Sequence, residues 1–283
     1  MSVPENDGRR PIGIFDSGIG GLTVLKEIRR EMPHEDVVYF GDTARVPYGT
    51  KSKETITRFS IDNVDFLKSF EVKIVVVACN TASSLSLEAL HKKFPEMPVV
   101  GVIEPGAAAA VRATKKGRVG VIGTKATISS GAYEACLKNL DPHVKVYSEA
   151  CPLFVPFVEE GWLDGEVVMK VARTYLEPLK TFGIDTLILG CTHYPLLTAA
   201  IRKIFGDEVT LVNSAEETAR QVRALLAPAN DRRHGEPDMR FYVSDEPEPF
   251  RALGERFLGV PIASVAKVGD HFGEDRARTH SRV

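Results

Sequence analysis

Residues 73–94 read KIVVVACNTASSLSLEALHKKF: β-branched apolar residues run into a cysteine, small and polar residues follow, and a helix-length amphipathic segment closes the stretch. Residues 185–205, DTLILGCTHYPLLTAAIRKIF, repeat that arrangement more than a hundred residues later. Each reads as a short strand, a cysteine turn and a helix. The neighbouring sequence keeps the same rhythm. PIGIFDS leads into GLTVLKEIRREM, DVVYFGD into a loop and then SKETITRFSIDNVDFLKSF, and PVVGVIE into GAAAAVRAT. Further on, RVGVIGT precedes ATISSGAYEACLKNL, VKVYSEA precedes a helical stretch around EVVMKVARTYLEPLKTF, and VTLVNS precedes EETARQVRALL. Alternation of this kind predicts an α/β fold: parallel sheets covered by helices on both faces and joined by right-handed crossovers.

The alternation is duplicated. IGIFDS and VGVIGT each open a half, and Cys79 lies 63 residues after Asp16 as Cys191 lies 67 after Thr124. Two similar halves facing each other are therefore expected. The chain crosses to the second half near VIEPGAAAA and back near VNSAEE, giving a first domain of residues 1–103 plus 214–283 and a second of 104–213. RFYVSD, 240–245, is expected to return as a strand to the first sheet. APANDRRHGEPD, 227–238, reads as an exposed loop. The polar end, AKVGDHFGEDRARTHSRV, reads as a fraying tail.

A chain of 283 residues can bury a substantial core in one or two domains. Its 36 basic and 38 acidic residues leave a formal charge of −2 without a long basic run, so the footprint of a nucleic-acid binder is missing. The longest apolar stretches fall far short of the roughly 20 residues of a membrane-spanning helix. The opening MSVPENDGRR has no apolar signal core, and little chain precedes Pro11 for a regulatory segment. Four cysteines without a CxxC pair, and with His193 alone close to one, argue against a disulfide scaffold and against structural zinc. The expectation is a cytoplasmic globular protein with reduced thiols, no bound metal, and no membrane or nucleic-acid partner.

In open parallel sheets ligands bind beyond the carboxyl ends of the strands, where Cys79 and Cys191 fall. Helix N-termini favour a thiolate, and a free cysteine starts from a pKa of about 8.5. Asn80 and Thr81 after the first cysteine, and Thr192 and His193 after the second, can hydrogen-bond a carboxylate or an ammonium group. A cysteine at a strand end is more often a small core residue, which suits Cys136 and Cys151. The matched polar turns set Cys79 and Cys191 apart. Two thiols in facing halves can take opposite sides of one small molecule, one removing a proton and the other delivering one.

Other turns carry candidates with two readings each. Asp16 and Ser17 precede Gly18, Gly20 and Gly21, glycines that allow close backbone approach and a turn of N–H groups. Asp16 either caps the following helix or serves chemistry. The spacing is neither GxGxxG nor GK[ST]. The long loop YFGDTARVPYGTKS, 39–52, holds Asp42, Arg45, Tyr48 and Gly49, as a functional loop or a surface connection in which Asp42 and Arg45 pair. His193 either tunes the Cys191 thiol and binds ligand, or packs. Glu159 and Glu160 sit beside apolar residues, as site groups or as solvated carboxylates.

FDSGIGGLTVL, YFGDTARVPYGTKS, ACNTASS, GVIEPG and GCTHYPLL, with ACPLFVPFVEEG among them, closely resemble the motifs of the bacterial glutamate racemases, in the same order. The resemblance runs from Asp16 to about Leu197, two thirds of the chain, with no departure at the matched positions. It implies two flavodoxin-like domains with the site in the cleft between them. It further implies interconversion of L- and D-glutamate without pyridoxal phosphate or another cofactor, for cell-wall synthesis, often by a homodimer. By matching motifs, Cys79 would handle the α-proton of D-glutamate and Cys191 that of L-glutamate. Asp16 and His193 would assist them, with Asp42 and Glu159 as weaker supporting candidates. Asp16, Ser17, Tyr48, Gly49, Asn80, Thr81, Thr192 and His193 would contact substrate.

Three rivals remain at this stage. A racemase of aspartate or a hydantoin would use the same thiols on another substrate. A cysteine hydrolase would use one cysteine as nucleophile with His193 as base. A thiol-bearing binding or redox protein would link Cys79 to Cys191.

Overall fold

The computed structural model describes residues 10–226 and 237–269, so most of the 227–238 loop and of the polar end lies outside the described residues. The chain begins with β1 (Ile12–Asp16), α1 (Leu22–Glu31), β2 (Val37–Gly41), α2 (Lys53–Lys68), β3 (Ile74–Val77), α3 (Asn80–Lys93) and β4 (Val99–Gly101). It continues with α4 (Ile103–Ala113), β5 (Arg118–Gly123), α5 (Lys125–Ser129), α6 (Ala132–Leu140), β6 (Lys145–Ala150), α7 (Phe154–Glu159) and α8 (Glu166–Thr181). Then come β7 (Thr186–Gly190), α9 (Thr198–Phe205), β8 (Thr210–Asn213), α10 (Ser214–Leu226), β9 (Met239–Val243), α11 (Pro247–Leu258) and β10 (Ala266–Lys267).

Two parallel sheets result, in the orders β10-β9-β2-β1-β3-β4 and β6-β5-β7-β8. The series β2-β1-β3-β4 is matched strand for strand by β6-β5-β7-β8, the flavodoxin-like order in each half. The duplication suspected from IGIFDS and VGVIGT is thus one of topology. Central strands β1, β3 and β7 are buried along their whole length, which is why they appear in sequence as unbroken apolar runs. Edge strands β6 and β8 carry exposed and half-buried residues instead. RFYVSD does return to the first sheet: β9 pairs with β2, Val37 opposite Met239 and Gly41 opposite Val243. Among the described residues, no helix is long and apolar enough to cross a membrane.

Two elements differ from the sequence reading. ATISSGAYEACLKNL forms two helices, because Gly131 takes a left-handed φ of 66° between them and the Ser130 hydroxyl accepts from the Ala132 N–H. Helix α11 was not anticipated, although Pro247 at its start and buried Phe250, Gly254, Phe257 and Leu258 give helical spacing.

The register decides which side chains meet. Asp16 lies opposite Gly41 and Phe15 opposite Val77, and Asp42 N–H to Asp16 C=O (3.1 Å) and Ala78 N–H to Phe15 C=O (2.9 Å) extend the ladder. Asp16, Asp42 and Cys79 therefore emerge together at one sheet end. In the second sheet Gly123 lies opposite both Ala150 and Gly190, which brings out Thr124, Cys151 and Cys191 in the same way.

Candidate active site

A cavity of about 450 Å³ opens between these two sheet ends. Of the residues singled out in the sequence, Ser17, Tyr48, Gly49, Cys79, Asn80, Thr81, Glu159, Cys191, Thr192 and His193 line it. Asp16 and Asp42 do not. The cavity sits at the point of each sheet where β1 and β3, or β5 and β7, send their connections apart.

Cys79 follows β3 and occupies the N-cap position of α3. Its thiol, almost wholly buried, donates toward the Ser17 hydroxyl at 3.8 Å. The expectation that the helix N-terminus favours a thiolate fails here. Burial first, and the Asp16 carboxylate second, push the thiol up to about 12, overcoming the Ala82 amide and Ser17. Cys79 is therefore a thiol at neutral pH. Asp16 is fully buried, and burial raises its own pKa against the pull of His193 and of the Gly18 and Gly21 amides. Its Oδ2 accepts from the Gly18 N–H at 2.9 Å, which stitches the glycine turn, while Oδ1 has no partner among the described residues. Helix α1 takes Gly21 as its N-cap, without a side-chain bond.

Cys191 follows β7 directly and meets a different neighbour. Its Sγ lies 3.9 Å from His193 Nδ1, and His193 Nε2 lies 2.9 Å from Oε1 of the half-exposed Glu159. The imidazole also meets the Phe257 ring edge-to-face at 5.5 Å, a contact supplied by the unanticipated α11. Burial opposes the imidazolium, but hydrogen bonding to Cys191 and Glu159 outweighs it and pushes His193 up to about 10. The two thiols thus stand in opposite electrostatic settings. Cys79 faces a carboxylate, and Cys191 faces an imidazolium.

Polar groups surround the space between them. The Asn80 Oδ1 accepts from the Tyr133 hydroxyl at 2.7 Å, leaving its buried amide nitrogen without a partner among the described residues. A buried donor left unpaired is costly, so such a group marks a place where a ligand atom can be received. The hydroxyls of Thr81, Thr124 and Thr127 form a triangle with sides of 2.9, 3.2 and 3.0 Å. Thr124 also lines the cavity but was not picked out in the sequence. The signal was available, since Thr124 ends VGVIGT where Ser17 ends IGIFDS. Pro152, Val155 and Pro156, around the start of α7, add an apolar side that the sequence did not single out.

The glycine turn of the first half touches the cysteine turn of the second. The Thr23 hydroxyl donates to the Thr192 carbonyl at 3.0 Å, and a Cβ on Gly20 would fall 2.2 Å from Thr192 Oγ1 and 2.5 Å from the His193 ring. Gly20→Ala is expected to displace both side chains from the cavity wall and reduce any turnover in the cavity about tenfold. Steady-state kinetics beside a thermal melt checks this, and unchanged kinetics would show that the turn yields freely.

The family model of the Asp/Glu/Hydantoin racemases matches residues 16–222, and the chain belongs to that family. Within it, the similarity is to glutamate racemases. The glutamate racemase of Geobacter metallireducens is 55% identical over 265 residues, 92% of this chain and 96% of the relative. The crystal structure of glutamate racemase from Francisella tularensis in complex with D-glutamate superposes with a TM-score of 0.87 at 40% identity, covering 93% of this chain and 98% of that one. An aspartate racemase homologue from Pyrococcus horikoshii, at 19% identity, 78% and 99% coverage and a TM-score of 0.54, shares the fold alone.

Proposed function

We propose that the protein interconverts L- and D-glutamate without a cofactor, using Cys79 and Cys191 on opposite faces of the α-carbon. One observation carries this reading. Two cysteines at equivalent strand ends of two topologically equivalent halves line one cavity, in opposite electrostatic settings. Inversion needs one base and one acid at the same moment, and the two cysteines stand beside unlike groups, a carboxylate and an imidazolium. The similarity to glutamate racemases selects glutamate over aspartate or a hydantoin.

In the direction from L-glutamate, the Cys191 thiolate, beside the His193 imidazolium, removes the α-proton. The Cys79 thiol then delivers its proton to the opposite face. From D-glutamate the roles reverse: Cys79 passes its proton to the neighbouring Asp16 carboxylate as it takes the α-proton, and Cys191, protonated by the His193 imidazolium, delivers one to the other face. The carbanion that develops between them is a strong base, so fixed donors must receive its charge. The unspent amide of Asn80, with Thr81 and Thr192 on the facing turns, supplies donors already in place. The domain division at 103–104 and 213–214 belongs to this reading, with each half presenting one thiol; it is supported by β1–β4, β9 and β10 forming one sheet and β5–β8 the other. The product D-glutamate would serve peptidoglycan synthesis in the cytoplasm, with a homodimer as the working form.

Proton NMR of the purified protein with L-glutamate in D₂O, followed in parallel by circular dichroism, tests this. Loss of the α-proton signal together with decay of optical activity is expected, with no cofactor added. A folded, reduced sample that leaves glutamate unchanged overturns the assignment. One observation favours a second reading: Cys191, His193 and Glu159 form a thiol–imidazole–carboxylate series like that of a cysteine hydrolase. That reading leaves Cys79 idle, and a covalent acyl adduct on Cys191 in mass spectra would support it.

A further inference from the structure

One wall of the cavity, Val46 to Thr50, is held from behind by side chains that do not line the cavity. Asp42, fully buried at the end of β2, is the centre of this support. Its carboxylate accepts from Arg45 Nε at 2.9 and 2.7 Å, from the Ser244 hydroxyl at 3.0 Å, and from the Tyr48 hydroxyl. Asn63, buried on α2, closes the ring: its Nδ2 donates to the Tyr48 oxygen at 3.1 Å and its Oδ1 accepts from Arg45 at 2.8 Å. Ser244 lies just beyond β9 and ties the same loop again, since its oxygen accepts from the Ala44 N–H at 2.9 Å. The adjacent Asp245 N–H donates to the Thr43 hydroxyl at 3.0 Å.

The Tyr48 hydroxyl is therefore already committed to Asp42 and Asn63. Gly49, next in the chain, packs so closely on Thr124 of the other half that a Cβ would lie 2.8 Å from the threonine Cβ. The place of the Tyr48–Gly49 turn thus depends on two supports far apart in sequence, α2 and the returning strand β9. The geometry points to Asn63 and Ser244 as positioning residues that set the Tyr48–Gly49 wall of the cavity, and so the affinity for substrate, without touching the substrate. This inference rests on the cavity being the glutamate site.

Among the described residues, the side chains of Asn63 and Ser244 bond neither thiol nor Ser17, Asp16 or His193; their partners are Ala44, Arg45, Tyr48 and Asp42. Their loss should therefore weaken binding of ground state and transition state alike, raising KM and sparing kcat. Ser244→Ala is expected to raise KM about fivefold for both enantiomers with kcat changed less than about twofold, the size of one lost hydrogen bond of ordinary strength. Ser244→Thr, which keeps the hydroxyl, restores KM. Asn63→Ala raises KM from the other side, and the double variant departs from the product of the two effects because both act through Asp42 and Tyr48. A merely structural role would lower melting temperature and active fraction, reducing kcat at constant KM. That pattern, or a KM for Ser244→Ala within twofold of the unmodified protein, overturns the inference while leaving the function in place. Absence of glutamate turnover by the unmodified protein overturns the function instead.

Discussion

Cys79→Ala and Cys191→Ala are each expected to reduce glutamate racemisation in both directions by about 10³-fold or more, measured by circular dichroism, with melting temperatures close to that of the unmodified protein. Loss of one positioned acid or base alone costs about 10²- to 10⁴-fold. Under the proposed two-thiol mechanism the loss is compounded, because the remaining thiol would serve only one face of the α-carbon. Both cysteines line the cavity, so trimming either to alanine enlarges existing space and leaves the packed interior intact. The variants should nonetheless differ in D₂O. Cys79→Ala keeps Cys191 with His193, and is expected to exchange the α-proton of L-glutamate slowly without inverting it. Cys191→Ala is expected to do the same with D-glutamate. A single variant that keeps more than about a tenth of the racemisation rate would falsify the two-thiol mechanism, since general acid–base catalysis by a lost group is worth far more than tenfold.

The central strands were legible because a parallel strand buried on both faces must be an unbroken apolar run, as Ile74–Val77 and Thr186–Gly190 nearly are. The cysteine turns were legible because each strand hands over abruptly to small polar residues. What the chain brings together from afar was not. The Phe257 contact on His193 crosses from α11 to the β7 turn, and the Ser244 bond to Asp42 joins residues about two hundred positions apart. Asp42 and Arg45 do pair, as the plainer reading of that loop had it, yet the pair also braces Tyr48. The thiol of Cys79 defied its local sequence for the same reason. Its place at a helix start is local, but its burial and its nearness to Asp16 are products of sheet register, and those two effects dominate.

His193→Asn is expected to lower kcat/KM about 10²-fold, within the usual worth of an acid–base group. The fall must be equal for both enantiomers, because L- and D-glutamate have the same free energy in solution and the ratio of their kcat/KM values is fixed at unity. The telling measurement is therefore the pH profile. With His193 raised to about 10, kcat/KM of the unmodified protein should decline on an alkaline limb near that pH, as the imidazolium beside Cys191 loses its proton. The limb should vanish in His193→Asn. In Glu159→Gln it should move to lower pH, because the carboxylate hydrogen-bonded to Nε2 is one of the groups that hold the proton. Stability follows the same sign. The folded protein holds this proton more tightly than the unfolded chain, so its contribution is complete below about 6.5 and is lost as pH rises through about 10. The gap in melting temperature between His193→Asn and the unmodified protein should close over that window. An alkaline limb that stays in place in His193→Asn would assign it to another group and remove His193 from the proton path.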